Sequence, residues 1–175
     1  EVAHHEDQLI ILTNMDGAED FKVMTTPIVK PGRENWVEIV AYQPGCFIME
    51  MKVFENFWAR IERVDGLPRI VITEFSSQLS HVVSFDEDAY NLGLLGGYEY
   101  KTTLLRFSYS SMATPERVFD YDMVDQTRKL RKEQEVPSGH NSDDYVTERI
   151  YATASDGAIV PISLMYKKDT KLDGS

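Results

Sequence analysis

An all-β fold, laid out as an open run of β-propeller blades, is predicted by three features of the sequence. Strand, turn, strand units recur with a period near 49 residues, and each period holds about four short runs of strand character. The chain also carries eight Phe, nine Tyr and two Trp, side chains that pack well on a pleated surface. A four-stranded twisted sheet cannot bury both of its faces without neighbours, and stacked blades supply them. A β-sandwich is the competing architecture, but it has no need of such a period. Three periods fill most of the 175 residues yet fall short of the four to eight blades that close a ring, so the chain is expected to be incomplete.

The first unit runs from residues 9–13 through the turn Asn14-Met15-Asp16-Gly17-Ala18 to residues 21–24, with Gly17 supplying the positive φ of a tight hairpin. Residues 1–7 ahead of it resemble no signal peptide, and His4-His5 is read as part of a mobile terminus. The second unit pairs residues 57–63 with 69–73 across Val64-Asp65-Gly66-Leu67-Pro68, Asp65-Gly66 falling 49 positions after Asp16-Gly17. A third pairs residues 104–109 with 117–121 around a turn at 110–115. Further strand-like runs lie at 36–41, 46–53, 81–85 and 91–95, and Gly93-Leu94-Leu95-Gly96-Gly97 reads as a tight inner-strand turn.

The charged run Arg128-Lys129-Leu130-Arg131-Lys132-Glu133-Gln134-Glu135 reads as a solvated outer strand. Residues 136–144 combine Pro, Gly and short polar side chains in the manner of a linker. Residues 145–154 and 158–166 then form a two-stranded hairpin around Ser155-Asp156-Gly157, with Pro161 at an edge or bulge and 167–175 as a surface connection. The expected organisation is therefore blades over 1–135, a linker or hinge over 136–144, and the opening of a second domain over 145–175. Pro137, Gly139, Asp143 and Asp144 are the candidate hinge residues.

Apolar residues at 42% and charged residues at 27% fit a chain with a packed core. Eighteen basic against twenty-nine acidic residues give a net charge of −11, a field that repels phosphate backbones and anionic lipids. Neither nucleic acid nor membrane is an expected partner. The same field gathers cationic ligands such as peptides rich in Lys and Arg, or serves solubility alone. Cys46, the single cysteine, sits in an apolar run and is expected to be a buried thiol with no internal disulfide. No apolar stretch approaches the roughly 18 residues that span a bilayer, and no Asn-x-Ser/Thr acceptor occurs, so a cytoplasmic setting is expected.

No catalytic, cofactor-binding or metal-binding residue is assigned. The chain has no Gly-x-Ser-x-Gly elbow, no His-Glu-x-x-His helix and no phosphate-cradling loop, and its four histidines lack metal spacing. His81 alternates with Val82 and Val83 and reads as a structural histidine. Asp86, Glu87 and Asp88, like Asp143 and Asp144, read as turn and linker acids.

The segment Leu105-Arg106-Phe107-Ser108-Tyr109-Ser110-Ser111-Met112-Ala113-Thr114-Pro115, followed by Val118-Phe119-Asp120-Tyr121-Asp122, resembles the last propeller blade of the oligopeptidase B branch of the prolyl oligopeptidase family. The hairpin with Asp156-Gly157-Ala158-Ile159-Val160-Pro161 resembles that family's re-entry from propeller into α/β-hydrolase domain. Residues 14–22, 62–69 and the terminal Lys171-Leu172-Asp173-Gly174-Ser175 also resemble it, so the likeness covers essentially the whole chain. It implies the C-terminal blades of a seven-bladed propeller, followed by the first hairpin of an α/β-hydrolase domain, in a cytosolic serine peptidase that cuts short peptides after Lys or Arg.

In that family the Ser, Asp and His of the triad lie beyond the position matched by Ser175, so no catalytic residue carries over. The resemblance implies a non-catalytic part that restricts substrate size and gates access. The partners it implies are short basic peptides, met through the intact enzyme, and the remainder of the same peptidase. An isolated arc of blades exposes sheet faces and edges and is expected to self-associate. The alternative functional reading is a stand-alone propeller-type module that binds proteins or peptides without enzymatic activity. An unrelated β-sandwich interaction protein leaves the period unexplained.

Overall fold

The computed structural model describes residues 1–96 and 99–174. Twelve of its strands form three four-stranded antiparallel sheets, each a meander in chain order, and two more form a separate hairpin. The first sheet comprises β1 (Val2–His5), β2 (Gln8–Thr13), β3 (Lys22–Pro27) and β4 (Val37–Val40). The second contains β5 (Cys46–Val53), β6 (Phe57–Val64), β7 (Leu67–Glu74) and β8 (Ser80–Val82). The third contains β9 (Tyr90–Leu95), β10 (Leu104–Ser111), β11 (Arg117–Asp122) and β12 (Thr127–Glu133). Strands β13 (Tyr145–Thr153) and β14 (Ile159–Lys167) pair only with each other. No helix among the described residues is long and apolar enough to cross a membrane.

The recurring unit of the sequence corresponds to the second and third strands of each sheet. At the β6–β7 turn Asp65 and Gly66 have φ of 51° and 80°, the paired positive values of a type I′ hairpin, whose twist matches that of the strands. Asp16 and Gly17 adopt nearly the same pair, 58° and 79°, inside a longer loop that contains a 3-10 turn at Met15–Gly17.

The middle sheet is the one that buries both faces. Alternation along β6 sends Phe57, Ala59 and Ile61 to one side and Trp58 to the other. The first group joins Ile70 and Ile72 against Leu92, Leu94, Leu105, Phe107 and Tyr121 of the third sheet. Trp58 joins Ile48 and Met51 against Ile10, Leu12 and Val23 of the first. Phe107 and Ile61 are fully buried, and each such side chain stabilises the stack by about 2 kcal/mol through lost apolar contact with water. Cys46 is buried, as its apolar setting predicts. The outer strand β12 is exposed along its whole length, the solvated edge that its charges suggest.

Three local expectations are corrected. The first residues are not a mobile terminus: residues 2–5 pair with β2, and the Leu12 amide donates to the Glu1 carbonyl at 2.9 Å. His5 is buried there, stacked 3.6 Å from the Phe75 ring with its Nδ1 2.9 Å from the Tyr100 hydroxyl. Second, Gly93 lies inside β9, opposite Ser108, and not in a turn. A Cβ at Gly93 would sit 3.1 Å from Ser108 Oγ, closer than ordinary van der Waals contact. The bend comes at Gly96, with φ of 69°; Gly97 of the same run lies outside the described residues, as does Ser175. Third, β10 continues through Ser110 and Ser111, so the third hairpin turns later than its sequence suggests. Pro161 pairs with Tyr151 in a two-stranded sheet, where every strand is an edge.

Candidate functional site at the junction of the third sheet and the hairpin

The junction is built outward from an aromatic cluster. Phe85, in the connection from β8 to β9, stacks on Tyr109 at 5.1 Å and meets Phe107 edge-on at 5.7 Å and Tyr90 at 4.9 Å. The Arg128 guanidinium lies over Phe85 at 5.4 Å and over Phe119 at 5.7 Å, a cation–π arrangement, and donates to the Ser84 carbonyl. Held in this way, the connection presents Glu87 to the turn between β10 and β11.

That turn is a socket for a carboxylate. Tyr109 and Thr114 each donate a hydroxyl to Glu87 Oε1 at 2.7 Å, and the Ser111 hydroxyl bonds the same side chain. Ser111 Oγ in turn accepts from the Ala113 and Thr114 amides at 3.1 and 2.8 Å, which fixes the loop. From the hairpin, Thr147 donates to Glu87 Oε2 at 3.4 Å. Burial pushes the Glu87 carboxyl upward, but the hydroxyls of Ser111, Thr114, Tyr109 and Thr147 outweigh it and hold the group below the usual carboxylate range. Burial and the bond to Glu87 together raise the Tyr109 phenol far above its ordinary value. Both groups are therefore in their bonding forms at neutral pH.

The linker lies on the same turn. Its first residues follow a chain still tied to the blade, since the Gln134 amide donates to the Glu116 carbonyl. His140 Nε2 donates to the Ala113 carbonyl at 2.6 Å, and its ring stacks on Tyr145 at 5.5 Å. Asn141 accepts from the Asp143 amide and donates to Asp144 Oδ1, both at 3.1 Å. The Asp144 carbonyl accepts from the Lys168 amide, which ties the linker to the end of β14. A cleft of about 280 Å³ remains between blade and linker, lined by Phe85, Glu87, Thr114, Arg117, Asp143 and Thr147.

The hairpin reaches the middle sheet as well. A Cβ on Gly66 would lie 3.4 Å from the Arg149 guanidinium and 3.6 Å from Pro161, so this turn needs glycine for its φ and approaches the hairpin closely. Arg149 Nε is buried there without a hydrogen-bond partner among the described residues.

Of the four residues singled out in the linker, Pro137 and Gly139 sit in a turn closed by the Gly139 amide on the Val136 carbonyl, with Gly139 at φ of 81°. Asp143 and Asp144 belong to the 3-10 turn Ser142–Asp144. The bond that joins linker to blade comes instead from His140, on the Ala113 carbonyl, and the one that joins hairpin to blade from Thr147 on Glu87; the sequence offered none of the three as a hinge residue. The available signal was the spacing of hydroxyls at Tyr109, Ser111 and Thr114, grouped at the end of β10 and in the turn that follows it. Nothing local marks Glu87 as their acceptor among its acidic neighbours. His81, read as structural, bonds the Tyr121 hydroxyl at 3.1 Å.

Three stacked four-stranded meanders define a propeller-type arrangement, and a separate two-stranded hairpin follows it. The family model described as "Prolyl oligopeptidase, N-terminal beta-propeller domain" matches residues 1–134, and the chain belongs to the prolyl oligopeptidase family. It is 36% identical over 172 residues to dipeptidyl aminopeptidase BI of Pseudoxanthomonas mexicana, covering 98% of this chain and 24% of that protein. Among solved structures it is similar to oligopeptidase B of Trypanosoma brucei with covalently bound antipain in a closed form, with a TM-score of 0.86 and 32% identity. That match covers 98% of this chain and 25% of the solved one. Oligopeptidase B of Leishmania major matches with a TM-score of 0.87 and 29% identity, over 99% of this chain and 25% of the other. The chain thus spans about a quarter of the length of these relatives.

Proposed function

We propose that this chain is the non-catalytic propeller and hinge portion of a cytoplasmic serine oligopeptidase that cleaves short peptides after Lys or Arg. In this reading the blades restrict substrate size and gate access, while the bond-making residues belong to a hydrolase domain that β13 and β14 begin. The observation that carries it is the hairpin: it pairs with no blade, yet it is tied to the third sheet through Glu87, His140 and the linker. A propeller acting alone as a binding module has no use for such an appendage. Family membership supports a peptidase, and the relatives named oligopeptidase B and dipeptidyl aminopeptidase BI supply the two substrate modes to be separated. The net charge of −11 supports basic peptides as the ligands, because an acidic field concentrates cations near a cavity.

The test is turnover by the protein that contains these residues together with a Gly-x-Ser-x-Gly segment. Expected is cleavage after internal Lys or Arg in peptides of up to a few tens of residues, with folded proteins of the same sequence content left intact. Release of dipeptides from the amino terminus alone would replace the endopeptidase reading. Absence of any hydrolysis or of labelling by a serine-directed phosphonate would leave the binding-module reading in its place.

A further inference from the structure

We propose that Glu87 is a positioning residue that sets the angle between the third blade and the hairpin, acting as a latch whose hairpin side releases first. The inference rests on the reading of the junction as the point where access is gated. Its basis is an asymmetry in the bonds that converge on one carboxylate. On the blade side Glu87 Oε1 accepts from Tyr109 and Thr114 at 2.7 Å each, short bonds to an ionised group, and the socket is braced by the two amides on Ser111. On the hairpin side a single hydroxyl, Thr147, reaches Oε2 at 3.4 Å, near the limit of a useful hydrogen bond.

At Glu87, separation of the hairpin from the third blade therefore breaks the Thr147 contact and leaves the blade-side socket intact, while the linker stays docked through His140 and the approach of Arg149 and Pro161 to Gly66 opens with the hairpin. The Tyr-x-Ser-x-x-Thr pattern of residues 109–114 gains a function from this arrangement: its three hydroxyls hold the latch, and its Ala113 carbonyl holds His140 of the linker. The groups facing Glu87 are uncharged hydroxyls from β10, the β10–β11 turn and β13; the charged side chains that share the cleft are Asp86, Arg117, Arg128, Asp143 and Lys168. Through these bonds Glu87 holds the two bodies together.

The experiment is a distance measurement between spin labels on Lys129→Cys in β12 and Ser155→Cys at the hairpin tip, in a Cys46→Ser background. The unmodified junction should give one narrow distance. Thr147→Val should raise the fraction at longer distance about threefold while leaving the melting of the blades unchanged, and Thr147→Ser should restore the narrow distribution. Glu87→Gln, which keeps one acceptor oxygen, should raise the long-distance fraction about tenfold. Unchanged distributions in Thr147→Val and Glu87→Gln would overturn the latch. If Glu87→Gln fails to fold, Thr147→Val alone decides. The readout needs no turnover, so a protein that proves not to be a peptidase still answers the question.

Discussion

Glu62 is the centre of a buried charge network on the face of β6 that Trp58 shares. Its Oε1 accepts from Arg60 Nε at 2.6 Å and its Oε2 from Arg69 Nη2 at 2.7 Å, with the carboxylate almost wholly buried. Burial pushes the Glu62 carboxyl up, but the charge of Arg60 and the bonds from Arg69 and Arg60 prevail and hold it below the usual range. The same carboxylate takes the Cys46 thiol as a donor, and burial followed by that negative charge raises the thiol, leaving an inert cysteine. Glu62→Gln strips the buried Arg60 of its counter-charge and is expected to lower stability by about 3 kcal/mol in urea denaturation at pH 7. Because the folded carboxyl lies below its unfolded value near 4.5, its contribution is complete above that pH and is lost as pH falls through the depressed folded value. A urea midpoint followed from pH 6 to pH 3 should therefore fall in the parent and fall less in Glu62→Gln; parallel curves would contradict the assignment.

The elements differ in how deeply they are held. Strands β6 and β7 lie in the middle of a stack and bury residues on both sides, whereas β13 and β14 have no described residue fully buried. The hairpin is joined to the blades through Thr147, the linker bonds and the approach of Arg149 and Pro161 to Gly66. A two-stranded hairpin without a packed face is only marginally stable. Hydrogen exchange in this chain should show the β13 and β14 amides exchanging faster than those of Ile61 and Ile72 by about two orders of magnitude or more. Equal protection would mean that the hairpin and the blades open as one unit.

At the scale of the whole molecule, the sheets form an open stack with one covered blade between two half-covered ones. The outward side of the third sheet carries Arg106 bonded through two nitrogens to Asp120, at 2.7 and 2.9 Å, with Arg131 on the same carboxylate at 3.2 Å. Beside this polar centre Leu104 is exposed, Leu130 is exposed on the other face of β12, Val2 and Val37 are exposed on the first sheet, and Tyr151 and Ile159 on the hairpin. Such surfaces and the free strand edges favour association between chains, opposed by the repulsion of a net charge of −11. Sedimentation velocity should show association that increases with protein concentration and with salt, as screening weakens the repulsion. A monomer at all concentrations and salt levels would contradict this.

The sequence by itself determined the class of fold and the family. Alternation at period two and turn residues at fixed offsets are local signals, and they placed the hairpins of all three sheets, the exposed edge β12 and the hairpin β13–β14. The motif around Tyr109, Ser111 and Thr114 carried the resemblance, yet its physical reason was not local. Only the tertiary structure decided that these hydroxyls converge on Glu87, that His140 docks on the Ala113 carbonyl, and that His5 belongs to a buried cluster with Phe75 and Tyr100. Each of those contacts joins residues far apart in the chain, where one acid or histidine looks like any other until packing selects its partner. The middle sheet likewise earned its two buried faces from its neighbours, because alternation shows which side chains share a face and says nothing of what covers it.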